Sequence, residues 1–215
     1  MAHHIVIGPV DDLSGSWPAP SRCQSQGPNM HLIAGLSLPM EMRLFLHGFQ
    51  NFFPSRDWKP LPLLYLPLVA FGRMPPQVWE ELDQTLYTLH LPAPVTLRHT
   101  GFDVSLKQNR IMLEATVEAS VIDHLSVKIR NQARLAGVPS TRSLIPSGIA
   151  LADITDVAPD VCSLWLATHR HLFAQIEEVY EFTVFKTGKN RENPFWEVMA
   201  EYQFAEEFSS PASLL

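Results

Sequence analysis

The sequence predicts an α+β fold in which antiparallel sheets dominate. The first observation is that apolar residues alternate with polar ones in several segments, which is the pattern of strands with one buried face. The second is that other segments repeat apolar residues at the three- to four-residue spacing of amphipathic helices. The third is that strands after the first unit are joined by polar turns or short helices, and such connections favour antiparallel pairing.

The first half of the chain predicts the order strand, helix, strand, helix. A short apolar strand over His31–Leu38 is followed by Pro39, which leads into a helix over Met40–Phe53 with apolar residues at helical spacing. A second strand covers Leu63–Phe71 and ends at a glycine. The pair Pro75-Pro76 then opens a helix that runs through Leu89, because proline is tolerated in the first turn of a helix.

The second half of the chain predicts a hairpin, a helix, a strand, a second helix and a closing hairpin. A polar turn at residues 107–109 joins the first two strands, and Gly137 ends the helix that follows, since glycine is common just beyond a helix. In chain order the elements are strands Val95–Leu106 and Arg110–Glu118, a helix Ile122–Ala136, a strand Ile145–Ile154, a helix Asp160–Gln175, and strands Ile176–Lys186 and Phe195–Phe204 around a turn at residues 187–190.

One folded domain is expected over residues 30–205. The chain has 215 residues, 46% of them hydrophobic, which is enough to bury one core. Residues 1–29 are rich in Pro, Ser, Gly and Asp and lack apolar periodicity, so we expect a loosely ordered leader there. Residues 206–215 are expected to form a polar, frayed tail.

Composition excludes several classes of function. With 22 acidic and 16 basic residues the net charge is −6, so the chain lacks the positive field that holds long RNA or DNA. The longest apolar run is interrupted by prolines and is too short to cross a bilayer, and the first residues lack the pattern of a secretory signal. Cys23 and Cys162 lie far apart and fit no metal-ligand spacing. We therefore expect a cytoplasmic protein with no cofactor or metal, whose partner is a small-molecule ligand or another protein.

Two apolar stretches, residues 64–68 and 146–151, carry a resemblance to a known family. The first is part of Leu64-Tyr65-Leu66-Pro67-Leu68-Val69-Ala70-Phe71-Gly72, and the second is part of Pro146-Ser147-Gly148-Ile149-Ala150-Leu151-Ala152. The surrounding segments are His31–Pro39, Phe102 with Arg110–Leu113, and a closing pair Val179–Phe185 and Trp196–Phe204. In this order and separation, the segments resemble the 2H phosphoesterase superfamily, which includes the LigT-type RNA 2′,3′-cyclic phosphodiesterases.

The resemblance implies a two-lobed, pseudo-twofold fold in which each lobe contributes one strand to a central cleft. In the family each of these strands carries His-x-Thr, whose two side chains share a face because alternate residues of a strand point the same way. One histidine acts as general base and the other as general acid on a 2′,3′-cyclic phosphate, while the threonines hold phosphoryl oxygens.

This sequence departs from the family pattern at every one of those positions. In the first stretch Tyr65 stands at the histidine position and Pro67 at the threonine position. In the second stretch the corresponding pair is Gly148 and Ala150, or Ser147 and Ile149 if the register moves by one residue. Both HxTx motifs are therefore degenerate, and the resemblance implies an apolar cleft in place of a phosphate-binding one.

Candidate ligand-binding residues follow from the same two strands and from one further pair. Tyr65 either contacts a ligand in the cleft or packs against the core with its hydroxyl at the surface. Ser147 as a nucleophile rests only on a short Pro-Ser-Gly sequence, which is a weak signal. Arg98 and His99 are adjacent on a predicted strand and form a candidate anion contact, with a solvated strand face as the alternative.

The functional expectation is a 2H phosphoesterase-like protein that has lost the phosphodiesterase chemistry of the family. It either binds a small ligand or a protein partner in an apolar cleft, or uses that cleft as a repurposed enzyme. The alternative is an active cyclic phosphodiesterase or RNA ligase-like hydrolase that acts on short nucleotides. Convergence of Tyr65, Arg98, His99 or Ser147 on an enclosed pocket favours ligand binding or catalysis, and a cleft filled by side chains favours a protein-interaction role.

Overall fold

The structure, a computed structural model, contains ten strands and four helices in the residues that it describes. The described residues are 30–89, 94–107, 109–119, 121–144, 148–169, 172, 176–190 and 193–204. The elements are β1 Met30–Ser37, α1 Met40–Asn51, β2 Lys59–Pro60, β3 Tyr65–Met74, α2 Pro76–Tyr87, β4 Val95–Lys107, β5 Arg110–Ala119, α3 Ile122–Leu135, β6 Arg142–Ser143, β7 Gly148–Asp153, α4 Pro159–His169, β8 Ile176–Val179, β9 Glu181–Asn190 and β10 Asn193–Gln203.

The strands form two five-stranded sheets. Sheet A has the order β10-β9-β1-β3-β6, and sheet B has the order β2-β7-β5-β4-β8. Every strand pair in both sheets is antiparallel. The two sheets meet where β3 contacts β7. The predicted α+β class with antiparallel sheets is therefore confirmed, and we refer to β3 and β7 as the motif strands because they carry the two apolar stretches.

Helices cover one face of each sheet, and two of them do so in an equivalent way. The side chain of Gln50 in α1 donates to the backbone oxygen of Leu151 in β7 at 2.9 Å. The hydroxyl of Ser126 in α3 donates to the backbone oxygen of Leu68 in β3 at 3.3 Å. Each motif strand is thus fixed by a polar side chain from one helix, as a pseudo-twofold arrangement requires. The opposite face of each sheet, which we call its open face, is not covered by these helices.

The closing hairpin differs from its prediction. The strand expected over residues 176–186 is two strands, β8 in sheet B and β9 in sheet A, separated at Tyr180. The turn expected at residues 187–190 lies within β9, where Thr187 pairs with Trp196. Alternation along one segment cannot reveal that the chain changes sheets, since both sheets present the same period.

Two further features differ from the prediction. Helix α4 ends at His169 and does not continue as a described helix to residue 175, and the two-residue strands β2 and β6 were not predicted. The leader 1–29 and the tail 206–215 lie outside the described residues. Within the described ranges, no helix is long and apolar enough to cross a membrane.

Candidate functional site

The first motif strand presents an aromatic side chain to the open face of sheet A. Leu66 and Leu68 are buried in the core, whereas Tyr65 and Pro67, which alternate with them, are partly exposed on the other side. The ring of Tyr65 lies 5.3 Å from that of Phe185 and 5.2 Å from that of Trp196, centroid to centroid. We call these three residues the aromatic cluster.

The neighbouring strand leaves room for the Tyr65 ring through a glycine. Gly35 in β1 pairs with Pro67. A Cβ atom at Gly35 would lie 2.6 Å from Cδ2 of Tyr65 and 2.9 Å from the backbone oxygen of Leu66, both closer than real Cβ atoms approach. The tyrosine ring therefore rests on the backbone of β1 and occupies the space that a side chain there would fill.

The Tyr65 hydroxyl is a weak acid in this setting. Burial raises the pKa of the phenol to about 12 from its ordinary value near 10, because the charged form loses its hydration. At neutral pH the group is protonated and cannot serve as a general base. Tyr65 thus lacks the proton chemistry that a histidine would supply at this position.

Two hydrogen-bonded pairs of polar side chains lie beside the aromatic cluster. The hydroxyls of Ser37 and Thr183 are 2.8 Å apart, and Ser37 is the residue that pairs with Tyr65 across the sheet. Further along the same face, Nδ1 of His31 lies 2.9 Å from the hydroxyl of Thr187, which pairs with Trp196. In both pairs the two polar side chains are therefore hydrogen-bonded to each other.

The second motif strand, β7, is closed by the backbone of its neighbour β5. A Cβ atom at Gly148 would lie 2.2 Å from the backbone oxygen of Ala115 in β5. No side chain of any size fits there unless β5 moves. Ile149 is fully buried, whereas Ala150 is partly exposed. The open face of sheet B therefore presents a bare backbone and a methyl group at the two motif positions.

The helix contacts fix the register of the second motif. Leu68 in β3 accepts a hydrogen bond from α3, and Leu151 in β7 accepts an equivalent one from α1. Leu68 lies three residues after Tyr65, and Leu151 lies three residues after Gly148. Of the two registers that the sequence allows, this favours Gly148 and Ala150. Ser147 lies outside the described residues.

The structure separates Arg98 from His99. His99 is 0% exposed, and its ring packs against those of Phe45 and Phe102 at 5.4 and 5.0 Å. Arg98 is exposed on the opposite face of β4. The adjacent pair therefore forms no joint anion contact, because consecutive residues of a strand point to opposite faces. We correct that expectation: His99 belongs to the core beneath α1, apart from Tyr65.

Sequence reasoning missed several residues of the two open faces. Phe185 and Trp196 lie in the predicted closing hairpin but were not assigned to a site, and only the pairing of β9 with β1 and β10 brings them to Tyr65. On sheet B, Glu114 pairs with Ala150 and forms an ion pair with Lys107 although its side chain is 1% exposed. Such contacts depend on sheet order, which local periodicity does not contain.

The described residues offer no site for a metal ion. Among them, no three side chains of His, Cys, Asp or Glu gather closely enough to coordinate one. The open faces instead carry hydroxyls, aromatic rings and ion pairs, among them Lys107–Glu114 and Arg110–Asp153. This composition suits stacking and hydrogen bonding.

Comparison with known proteins identifies the fold. No protein-family model and no curated protein sequence matches the chain. Its structure is similar to that of apo E. coli LigT, with a TM-score of 0.61, 17% identity, and coverage of 84% of this chain and 100% of LigT. It is also similar to TT0787 of Thermus thermophilus, with a TM-score of 0.65, 23% identity, and coverage of 83% and 100%. A third structure, described as a phosphoesterase, has a TM-score of 0.61, 17% identity, and coverage of 82% and 99%.

These similarities establish the LigT-like 2H phosphoesterase fold that the sequence predicted. In this fold the two sheets flank a central cleft, and the open faces of sheets A and B are its walls. The aromatic cluster lies on one wall, and Gly148 with Ala150 lies on the other.

Proposed function

We propose that this protein binds a ligand in the cleft of a 2H phosphoesterase fold without hydrolysing a phosphodiester. The observation that carries the proposal is the state of the two motif strands. Tyr65 fills one histidine position with a half-buried phenol whose pKa is raised, and the backbone of β5 closes the other at Gly148. Neither strand offers a group that exchanges protons readily at neutral pH.

The expected loss of rate is large. Removing a general acid or base costs about 10²- to 10⁴-fold each, and removing donors to the phosphoryl oxygens costs about 10²- to 10³-fold more. Pro67 and Ala150 at the threonine positions have no hydroxyl, and Pro67 also lacks a backbone N–H. The cleft therefore lacks the groups for both the proton transfers and the charge stabilisation of the family reaction.

The aromatic cluster favours a ligand with a planar ring. Trp196 is partly exposed on the wall of sheet A and packs against Tyr65, so its indole offers a stacking surface. E. coli LigT, which shares the fold, has been crystallised with 3′-AMP, with ATP and with NADP+, and each of these carries an adenine ring. We therefore propose a short nucleotide as ligand, bound by stacking and not cleaved.

The test combines an activity assay with a binding assay on the same protein. The purified chain is incubated with 2′,3′-cyclic AMP, and 3′-AMP is titrated while backbone amide signals are followed by NMR. We expect no turnover above background and shifts at Tyr65 and Trp196. Trp196→Ala should weaken 3′-AMP binding by about tenfold or more, since stacking of a base on an aromatic ring contributes about 1 to 3 kcal/mol.

The control is Tyr87→Ala, which removes an exposed aromatic ring from α2 outside the cleft and should leave binding unchanged. Turnover of 2′,3′-cyclic AMP that Tyr65→Phe abolishes would overturn the loss of chemistry and restore the hydrolase alternative. If the parent protein and Trp196→Ala bind 3′-AMP equally well, the proposal of a ligand that stacks on Trp196 is wrong. A protein partner would then be the remaining candidate for the cleft.

A further inference from the structure

A second concave site lies outside the cleft, between α1 and α4. Its volume is about 340 Å³, within the range of small-molecule sites. The lining residues are Phe45, Gly48, Phe49, Phe52, Trp165 and His169. Phe45 and Phe49 pack inward against His99 and Phe102 of β4, so the site lies on the helix-covered side of sheet B. We call it the α1–α4 pocket.

Gly48 is a feature of α1 that packing among the described residues does not explain. Glycine in a helix interior lowers helix stability relative to alanine, a cost normally offset where a backbone must approach another group closely. Apart from its chain neighbours and the backbone of α1 itself, a Cβ atom added at Gly48 would meet no atom of the described residues within 4 Å. The glycine therefore keeps space open above the helix backbone, inside the α1–α4 pocket.

His169 gives this pocket one defined polar atom. Its Nδ1 lies 2.7 Å from the backbone oxygen of Trp165, and because a carbonyl oxygen only accepts, Nδ1 carries the proton. In the neutral imidazole, Nε2 is then the acceptor. The ring is also held in place by stacking on Trp165, with centroids 4.1 Å apart and planes 20° apart, and by the edge of Phe49.

The remaining walls are aromatic and carry no charge. Phe52 at the rim is 84% exposed, so its ring is accessible to a ligand in the pocket. Because no lysine, arginine or carboxylate among the described residues lines the pocket, a charged ligand would lose its hydration without a counter-charge from them. The lining therefore matches a flat, neutral molecule.

We propose that the α1–α4 pocket binds a neutral planar aromatic molecule with an N–H or O–H donor, whose ring lies over Gly48 and whose donor bonds to Nε2 of His169. The rings of Phe49, Phe52 and Trp165 enclose the ligand ring. This site is separate from the cleft, and the proposal does not depend on what the cleft binds.

The test uses indole, which is planar and has one N–H donor, and 1-methylindole, which has the same ring without the donor. Both are titrated into the full chain while backbone amide signals are followed by NMR. We expect indole to shift signals of residues 45–52 and 165–169 and to leave those of Tyr65 and Trp196 unchanged. 1-Methylindole should bind about five- to tenfold more weakly, which corresponds to one neutral hydrogen bond.

Two variants separate the pocket from its surroundings. Gly48→Leu places a side chain in the open space and should abolish indole binding, while thermal unfolding shows that the variant still folds. Leu44→Ala removes an exposed apolar side chain of α1 that does not line the pocket, and it should leave binding unchanged. A third variant, His169→Phe, should bring the two probes to equal affinity.

Several results would overturn the proposal. One is equal affinity of the parent protein for indole and 1-methylindole, and another is indole binding that persists in Gly48→Leu. A third is self-association in analytical ultracentrifugation that Gly48→Leu disrupts, since this would assign the pocket to a second copy of the chain and not to a small molecule.

Discussion

The two motif strands occupy equivalent places in the fold but differ in the space that they leave at the first motif position. On β3 the first motif position holds a large ring, which packs against Phe185 and Trp196 and rests on Gly35. On β7 the same position holds glycine, and the backbone of β5 lies where a side chain would begin. On one wall this position is filled by a side chain, and on the other it is closed by the backbone of a neighbouring strand.

The difference determines how easily each strand can accept another side chain at this position. A ring can be exchanged for another side chain at the cost of its contacts, whereas a backbone contact at 2.2 Å from the missing Cβ can be relieved only by moving a strand. Another side chain is therefore harder to accommodate at Gly148 on β7 than at Tyr65 on β3. Stability measurements on each wall test this asymmetry.

The largest effect is expected at Gly148. Gly148→Ala should lower the free energy of unfolding by more than about 3 kcal/mol, because the added methyl forces β5 and β7 apart. The family histidine at this position would do the same. Tyr65→His should cost less, about 1 to 3 kcal/mol, since it loses ring contacts without a backbone clash. Urea unfolding of the two variants measures the contrast.

Gly48→Ala is the matched control for Gly148→Ala. The same chemical change in the open space above α1 should raise stability by about 0.5 to 1 kcal/mol through helix propensity. A Gly148→Ala protein as stable as the parent would show that β5 yields easily and that the second wall is not closed.

Most helices and strands can be predicted from local sequence, whereas the contacts that fill or close the two cleft walls cannot. Strands such as β4 and β5 and helix α3 were predicted within a few residues, because their periodicity and terminators are local. The closure at Gly148 depends on how near Ala115 comes, and the aromatic cluster depends on β9 lying beside β1. The buried position of His99 likewise depends on the side of sheet B that α1 covers.

The next effect concerns the fit between Gly35 and Tyr65. Gly35→Ala should cost about 2 to 3 kcal/mol, because its methyl meets both the tyrosine ring and the Leu66 carbonyl. Tyr65→Ala removes the ring, so the double variant should be more stable than the sum of the single changes by about 1 to 2 kcal/mol. The carbonyl contact remains in the double variant and keeps it below the parent. A strictly additive double-mutant cycle would contradict the close contact between Gly35 and the Tyr65 ring.

A third effect appears only at high pH. Burial raises the pKa of Tyr65 to about 12, so the unfolded chain ionises first, near pH 10. The stability that the phenol contributes is complete below pH 10 and is lost as the pH rises to 12, by about 2 to 3 kcal/mol in total.

Tyr65→Phe isolates this contribution. The parent and the variant should have nearly equal stability at neutral pH, and the variant should be the more stable of the two above pH 11. Burial and Asp83 also raise the pKa of Tyr202, but that residue is present in both proteins and its effect cancels. Urea unfolding across this range measures the gap, and a gap that does not change with pH would mean that the Tyr65 hydroxyl is hydrated.

The smallest effects come from one hydroxyl pair on each wall. Thr183 on sheet A is fully buried and bonds Ser37 at 2.8 Å, so Thr183→Val leaves a half-buried hydroxyl without this partner and should cost about 1 to 2 kcal/mol. On sheet B, Thr116 bonds the exposed Thr100 at 3.0 Å, and water can replace either hydroxyl. Thr116→Val should therefore cost less than about 0.5 kcal/mol. If thermal unfolding shows that Thr183→Val and Thr116→Val lower stability equally, the two walls are equally hydrated. The difference between the packed wall of sheet A and the open wall of sheet B would then be contradicted.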